Sequence, residues 1–129
     1  MKAVSIVTPG KIEIIELPDP TPSNSEVVVE VAAVGICGTD LHIFEGEFAP
    51  KFPITPGHEM TGTVVAIGKD VTEVKIGDPV AVDPSVYCGE CFYCRRARGN
   101  LCEKWNALGV SMPGAAAQFL LSPKKNIHK

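Results

Sequence analysis

The sequence predicts a mainly β fold, a small Greek-key barrel or distorted sandwich with short helices and one protruding lobe. Three observations carry that expectation. Glycine (12) and proline (11) make up about 18% of the 129 residues, against an average near 12%, which suits many short strands and turns and argues against a helix bundle. The apolar residues fall in short runs rich in valine and isoleucine. Turn signals such as Pro9-Gly10, Gly68-Lys69-Asp70 and Gly77-Asp78-Pro79 separate those runs.

The elements follow in order. Lys2–Thr8 and Lys11–Leu17 are two strands joined by the turn at Pro9-Gly10. Ile12, Ile14 and Leu17 among Glu13 and Glu16 give the second strand the pattern of a half-buried one. Pro18, Pro20 and Pro22 bar a helix after it. Glu26–Val34, with Val27, Val28, Val29 and Val31, reads as a strand buried largely on both sides. Met60–Ile67 and Pro79–Val82 are further strands, and Ala115–Ser122 and Asn126–Lys129 are short final ones. Helix is confined to one turn around Thr39–Phe44 and another around Phe92–Arg98.

Composition bounds the function. Apolar residues at 45% and charged residues at 21% are ordinary for a globular domain, and a net charge of −3 disfavours a nucleic-acid binder. The longest nearly apolar stretch, Val27–Cys37, is interrupted by Glu30 and Gly35, whereas a membrane helix needs about 20 residues. The first residues lack the apolar region of a signal peptide, so a cytoplasmic protein with no membrane partner is expected. The length is that of one domain, and a dinucleotide-binding domain would need on the order of 100 further residues.

The strongest motif is Cys88-x2-Cys91-x2-Cys94-x7-Cys102. Tetrahedral zinc needs four thiolates about 2.3 Å from one ion, and two-residue spacers bring successive sulfurs to one side of a tight loop. Four coordinated thiolates leave no open position, so such a zinc is structural. Zinc with four thiolates carries two negative charges; Arg95, Arg96, Arg98 and Lys104 against Glu90 and Glu103 leave the metallated lobe neutral. Two disulfides are disfavoured without a secretory signal. An iron–sulfur cluster usually shows a three-residue final spacer followed by proline, not seven residues and Glu103.

The fifth cysteine stands apart, in Gly35-Ile36-Cys37-Gly38-Thr39-Asp40-Leu41-His42, and Pro56-Gly57-His58-Glu59 follows some twenty residues later. Cys37, His58 and Glu59 form a ligand set for a second zinc, since a catalytic zinc keeps a position for water or substrate. Asp40 is a candidate to orient His58. Thr39 and His42, three residues apart on one helical turn, are a hydroxyl and an imidazole suited to relaying a proton. The residues alone leave other readings open: Cys37 as a core thiol, His58 as a turn residue, and other ligand sets.

These motifs occur in one order: Cys37-Gly38-Thr39-Asp40-x-His42, then Gly57-His58-Glu59-x2-Gly62-x-Val64, then Gly77-Asp78-x-Val80, then the four-cysteine lobe. In that order they resemble the catalytic, GroES-like domain of zinc-dependent medium-chain dehydrogenases, over nearly the whole chain. Gly38 and the stretch Leu41-His42-Ile43-Phe44-Glu45-Gly46 point toward the polyol, sorbitol and threonine dehydrogenases. The resemblance implies a GroES-like distorted β-barrel over 1–129 with a structural zinc lobe at 88–102. It implies a catalytic zinc held by Cys37 and His58, with Glu59 as ligand or close neighbour, and a structural zinc on Cys88, Cys91, Cys94 and Cys102. It makes Thr39 and His42 the proton relay.

The implied chemistry is oxidation of a small-molecule alcohol or polyol, with zinc as Lewis acid and hydride passing to NAD or NADP. The intact enzyme is then expected to be a homo-oligomer. Ile43, Phe44 and Phe52 are candidates for the substrate wall or for ordinary core. The chain has no G-x-G-x-x-G, so the Rossmann domain is absent from it and Lys129 reads as a cut. The family's further catalytic-zinc ligand lies downstream. The isolated chain is therefore expected to be inactive. Pro79 replaces a usual basic residue, and Gly114-Ala115-Ala116-Ala117-Gln118-Phe119 departs from the family's usual run. Two other functions stay on the table: a zinc-stabilised binding module without dehydrogenase activity, and a barrel in which Cys37 and His58 are core residues. Trp105 is expected to pack the lobe against the barrel, and His128, Lys124, Lys125 and Lys129 to face solvent.

Overall fold

A computed structural model describes residues 1–48 and 51–129. Strands β1 (Lys2–Thr8) and β2 (Lys11–Glu16) form an antiparallel hairpin. Strands β3 (Glu26–Gly35), β4 (Glu59–Ile67) and β5 (Pro79–Val82) build the middle of a second sheet. A two-residue ribbon, β6 (Ser85–Val86) with β7 (Asn106–Ala107), stands apart. Strands β8 (Phe119–Pro123) and β9 (Ile127–His128) close the chain, and the five-stranded sheet runs β8-β3-β4-β5-β9. Among the described residues the one α-helix is α1 (Gly38–Glu45), which follows β3.

The β3–β4 ladder is the spine. Its register shifts at Val28/Val29 and at Val31/Ala33, and such irregularities bend and twist strands, which curls the sheet. Gly62 opposes Val31 where a side chain would strike the carbonyl of Glu30. The larger core gathers Val27, Val29, Val64, Val80, Leu108 and Leu120 with their neighbours. A smaller core holds Ile6, Ile43, Ile54, Ala107 and Val110 under the β1–β2 hairpin. Bridges Ile6↔Ile54 and Ala3↔Ala117 fasten that hairpin to the rest.

Two sequence expectations are corrected. Strand β2 is not half-buried: Ile12 and Ile14 are 53% and 76% exposed, because β2 is an edge strand of a two-stranded sheet. Strand β3 is buried on both sides only at Val27–Val29; Glu30, Ala32 and Ala33 are exposed. Trp105, expected to pack the lobe against the barrel, is 41% exposed, and the ribbon β6–β7 leads the chain into and out of the lobe. Of the two readings open for Ile43, ordinary core holds: it has no exposure and packs with Ile6 and Ile54.

Other expectations hold with small changes at the ends. The stretch from Cys88 to Glu103 has no strand and contains 3-10 turns at Cys94–Arg96 and Gly99–Leu101. His128 is exposed, while the lysines are held individually: Lys124 pairs with Glu73 at 3.1 Å and Lys129 with Asp78 at 2.9 Å. No helix among the described residues is long and apolar enough to cross a membrane.

Candidate metal centres

The first centre follows from strand register. Gly35 at the end of β3 pairs with Glu59 at the start of β4. The ladder therefore delivers Cys37, two residues beyond β3, and His58, one before β4, to the same end of the sheet. Ligand atoms of Cys37, His58 and Glu59 lie within 4.8 Å of one another. Glycine at position 35 leaves room for the Glu59 carboxylate, which a side chain there would strike. Gly57 has φ +93, a left-handed conformation natural to glycine, and it aims the chain into His58. That turn packs on the backbone of Ala116 and on Gly109 and Gly114, where side chains would collide with it.

Asp40 ties the two ligand loops together. Its Oδ2 accepts the Cys37 N–H at 2.9 Å, closing the N-terminus of α1, and its Oδ1 accepts the Gly57 N–H at 3.3 Å. Oδ1 also faces His58 Nδ1 at 3.5 Å, too long for a full hydrogen bond, and that buried nitrogen has no other partner among the described residues. An imidazole beside a carboxylate, with a thiol and a second carboxylate converging on it, is a donor set that suits zinc. Thr39 Oγ1 sits 3.8 Å from Cys37 Sγ.

His42 points elsewhere than the spacing suggests. Among the described residues no hydrogen bond joins it to Thr39; its Nδ1 lies 2.7 Å from Glu47 Oε2 at the exposed end of α1. Sequence reasoning missed Glu47. The only local signal was Gly46, a natural helix end. An open groove of about 700 Å³ adjoins Asp40 and Gly57, lined by Ile12, Val34, Ile36, Leu41, Phe44 and Ala116. Phe44 and Phe52 both pack against the smaller core, and Phe44 also lines the groove.

The second centre is the lobe. The ribbon β6–β7 is its stem, and Asn126 pins the stem by donating to the carbonyls of Asp83 and Ser85 at 2.8 and 2.9 Å. All five cysteines are free thiols. The four lobe sulfurs lie within 4.8 Å of one another. Cys88 Sγ is 3.6 Å from Cys102 Sγ and 3.9 Å from Cys94 Sγ. A tetrahedron of sulfurs about 2.3 Å from zinc has edges of about 3.8 Å, so the spacing fits the ion.

The polypeptide supports negative charge in the lobe. The N–H groups of Cys88 and Lys104 both donate to Cys102 Sγ at 3.3 Å. Backbone N–H groups of Cys94 and Glu103 hold the Cys91 thiol down to about 6. Those of Glu90 and Cys91 lower Cys88. Cys94 is pushed up to about 12, first by burial and then by the neighbouring sulfurs. Four thiolates side by side repel, so the cluster keeps a proton until a cation displaces it. Arg96 stacks 3.7 Å over Phe92 and bonds its carbonyl, and Lys104 pairs with Glu90 at 3.2 Å.

Comparison with known proteins identifies the family. Residues 23–129 match the alcohol dehydrogenase GroES-like domain. D-arabinitol dehydrogenase 1 of Uromyces fabae is 43% identical over 92% of this chain and 34% of its own length. L-threonine 3-dehydrogenase of Saccharopolyspora erythraea is 42% identical over 98% of this chain and 38% of its own. The solved structure of a candidate zinc-binding dehydrogenase from Sinorhizobium meliloti 1021, bound to NADP, superposes with a TM-score of 0.93 at 38% identity, covering 98% of this chain and 37% of that one. The chain thus spans little more than a third of the relatives it matches.

Proposed function

Because the chain belongs to the alcohol dehydrogenase GroES-like domain family, we propose that it is the metal-bearing portion of a zinc-dependent dehydrogenase that oxidises an alcohol or polyol by hydride transfer to NAD or NADP. The observation that carries this reading is the pairing of two unlike centres. One is a closed set of four sulfurs. The other, at Cys37, His58 and Glu59, is incomplete as a tetrahedron and lies beside an apolar groove, as a catalytic centre requires.

Cys37, His58 and Glu59 would hold the catalytic zinc, and Cys88, Cys91, Cys94 and Cys102 the structural one. The catalytic ion supplies Lewis acidity that eases loss of a proton from an alcohol hydroxyl. The protein's own groups do the remaining work. Asp40 keeps the Cys37 and His58 loops in register. Val34, Leu41 and Phe44 offer an apolar wall to the carbon side of the substrate. Thr39, next to Cys37, and His42, open to solvent one turn along α1, carry the proton away. The hydride acceptor would bind outside these residues; the NADP-bound neighbour is a longer protein, of which this chain covers 37%.

The test is reduction of NAD and NADP with a panel of polyols and threonine, using the 129-residue chain alone and the chain extended by its downstream coding sequence. The extended protein should turn over and the chain alone should not. Cys37→Ser should abolish turnover while the lobe keeps its metal. Turnover by the chain alone, or full activity in Cys37→Ser, would rule the assignment out.

A further inference from the structure

We propose that Glu47 is a positioning residue for the proton relay, holding His42 in the tautomer that carries hydrogen on Nδ1 and leaves the Nε2 lone pair to accept the proton. The proposal rests on the relay role given to His42 above. Glu47 Oε2 lies 2.7 Å from His42 Nδ1. A carboxylate offers only acceptors, so the shared hydrogen belongs to Nδ1. In a neutral imidazole the lone pair then sits on Nε2, the nitrogen free to act as base.

The contact is built by the backbone and does not depend on chance approach of two long side chains. Helix α1 ends at Glu45, and Gly46, at φ 81, turns the chain back. The N–H groups of Glu47 and Phe48 then both donate to the carbonyl of His42, at 2.9 and 3.2 Å. Gly46 N–H bonds Ile43, which is fully buried, so the turn is anchored in the core. Glu47 is fastened to His42 through the main chain before their side chains meet. Glu45 is also near, but the hydrogen bond is made by Glu47.

Nitrogen-15 NMR of histidine-labelled protein reads the tautomer directly, and only three histidines need assignment. The wild type should show a larger Nδ1–H fraction at His42 than at the exposed His128. Glu47→Leu should lower the Nδ1–H to Nε2–H ratio about threefold, the size an exposed charged contact gives. Glu47→Gln should lower it similarly, because an amide can face either tautomer; a role in packing alone predicts no change in this variant. Glu45→Gln should leave the ratio alone. An unchanged ratio in both Glu47 variants, or an equal effect from Glu45→Gln, overturns the proposal. The ratio is read without metal, substrate or turnover, so that failure concerns Glu47 only. Failure of the dehydrogenase reading shows instead as absent turnover in the extended protein.

Discussion

Replacing Asp40 by alanine tests how the two ligand loops are held. The side chain is only 12% exposed, and its carboxylate serves the Cys37 N–H at 2.9 Å and the Gly57 N–H at 3.3 Å. Asp40→Ala leaves both donors without their acceptor, at about 1–3 kcal/mol each, the longer bond contributing less. The structure therefore predicts a loss of about 3 kcal/mol, a large share of the 5–15 kcal/mol typical of a whole domain. Asp40→Asn keeps one acceptor oxygen and should lose about half as much. Urea unfolding of the metal-free protein, followed by circular dichroism, measures this as a lower midpoint at an unchanged slope. A value for Asp40→Ala within about 0.5 kcal/mol of wild type, the range of an unremarkable surface change, would refute the reasoning.

Ile43→Ala should cost about 2–5 kcal/mol and Ile43→Val about 1 kcal/mol in the same assay, since Ile43 is fully buried between Ile6 and Ile54. Wild-type stability of Ile43→Ala would mean that α1 is not anchored there. A side chain at Gly114 would collide with the carbonyls of Pro56 and Gly57, so Gly114→Ala should destabilise by about 2 kcal/mol and weaken metal binding at His58 while the lobe is unaffected. Zinc affinity of the lobe should rise with pH. Cys94, pushed up to about 12, is protonated at pH 7 and must release that proton to bind, giving at least about tenfold per pH unit. Below about 6 the Cys91 thiol also takes a proton, and affinity should fall more steeply. Chelator competition between pH 5 and 8 checks this, and a flat profile would contradict it.

The four-cysteine lobe was legible because its cysteines are close in sequence, where spacing alone constrains geometry. Most strands were legible because β-branched runs between turn residues leave few alternatives. Cys37 and His58 are 21 positions apart, and only the register that pairs Gly35 with Glu59 brings them together. Their order among the other motifs pointed to the family, but spacing alone did not. Ile12 and Ile14 misled because alternation shows that a face is apolar, not that anything covers it. Ile43 sat among site residues in sequence, yet the helix turns it toward the core. Glu47 was invisible because its contact with His42 depends on the left-handed turn at Gly46.

Metal content tests the central claim most directly. Elemental analysis of the zinc-loaded protein, gel-filtered to remove free ion, should give two zinc ions per chain. Cys37→Ser and Cys94→Ser should each retain one, the first in the lobe and the second between the β3 and β4 ends. A single zinc in the wild type, kept by Cys37→Ser and lost from Cys94→Ser, would show that Cys37, His58 and Glu59 hold no metal and would contradict the account.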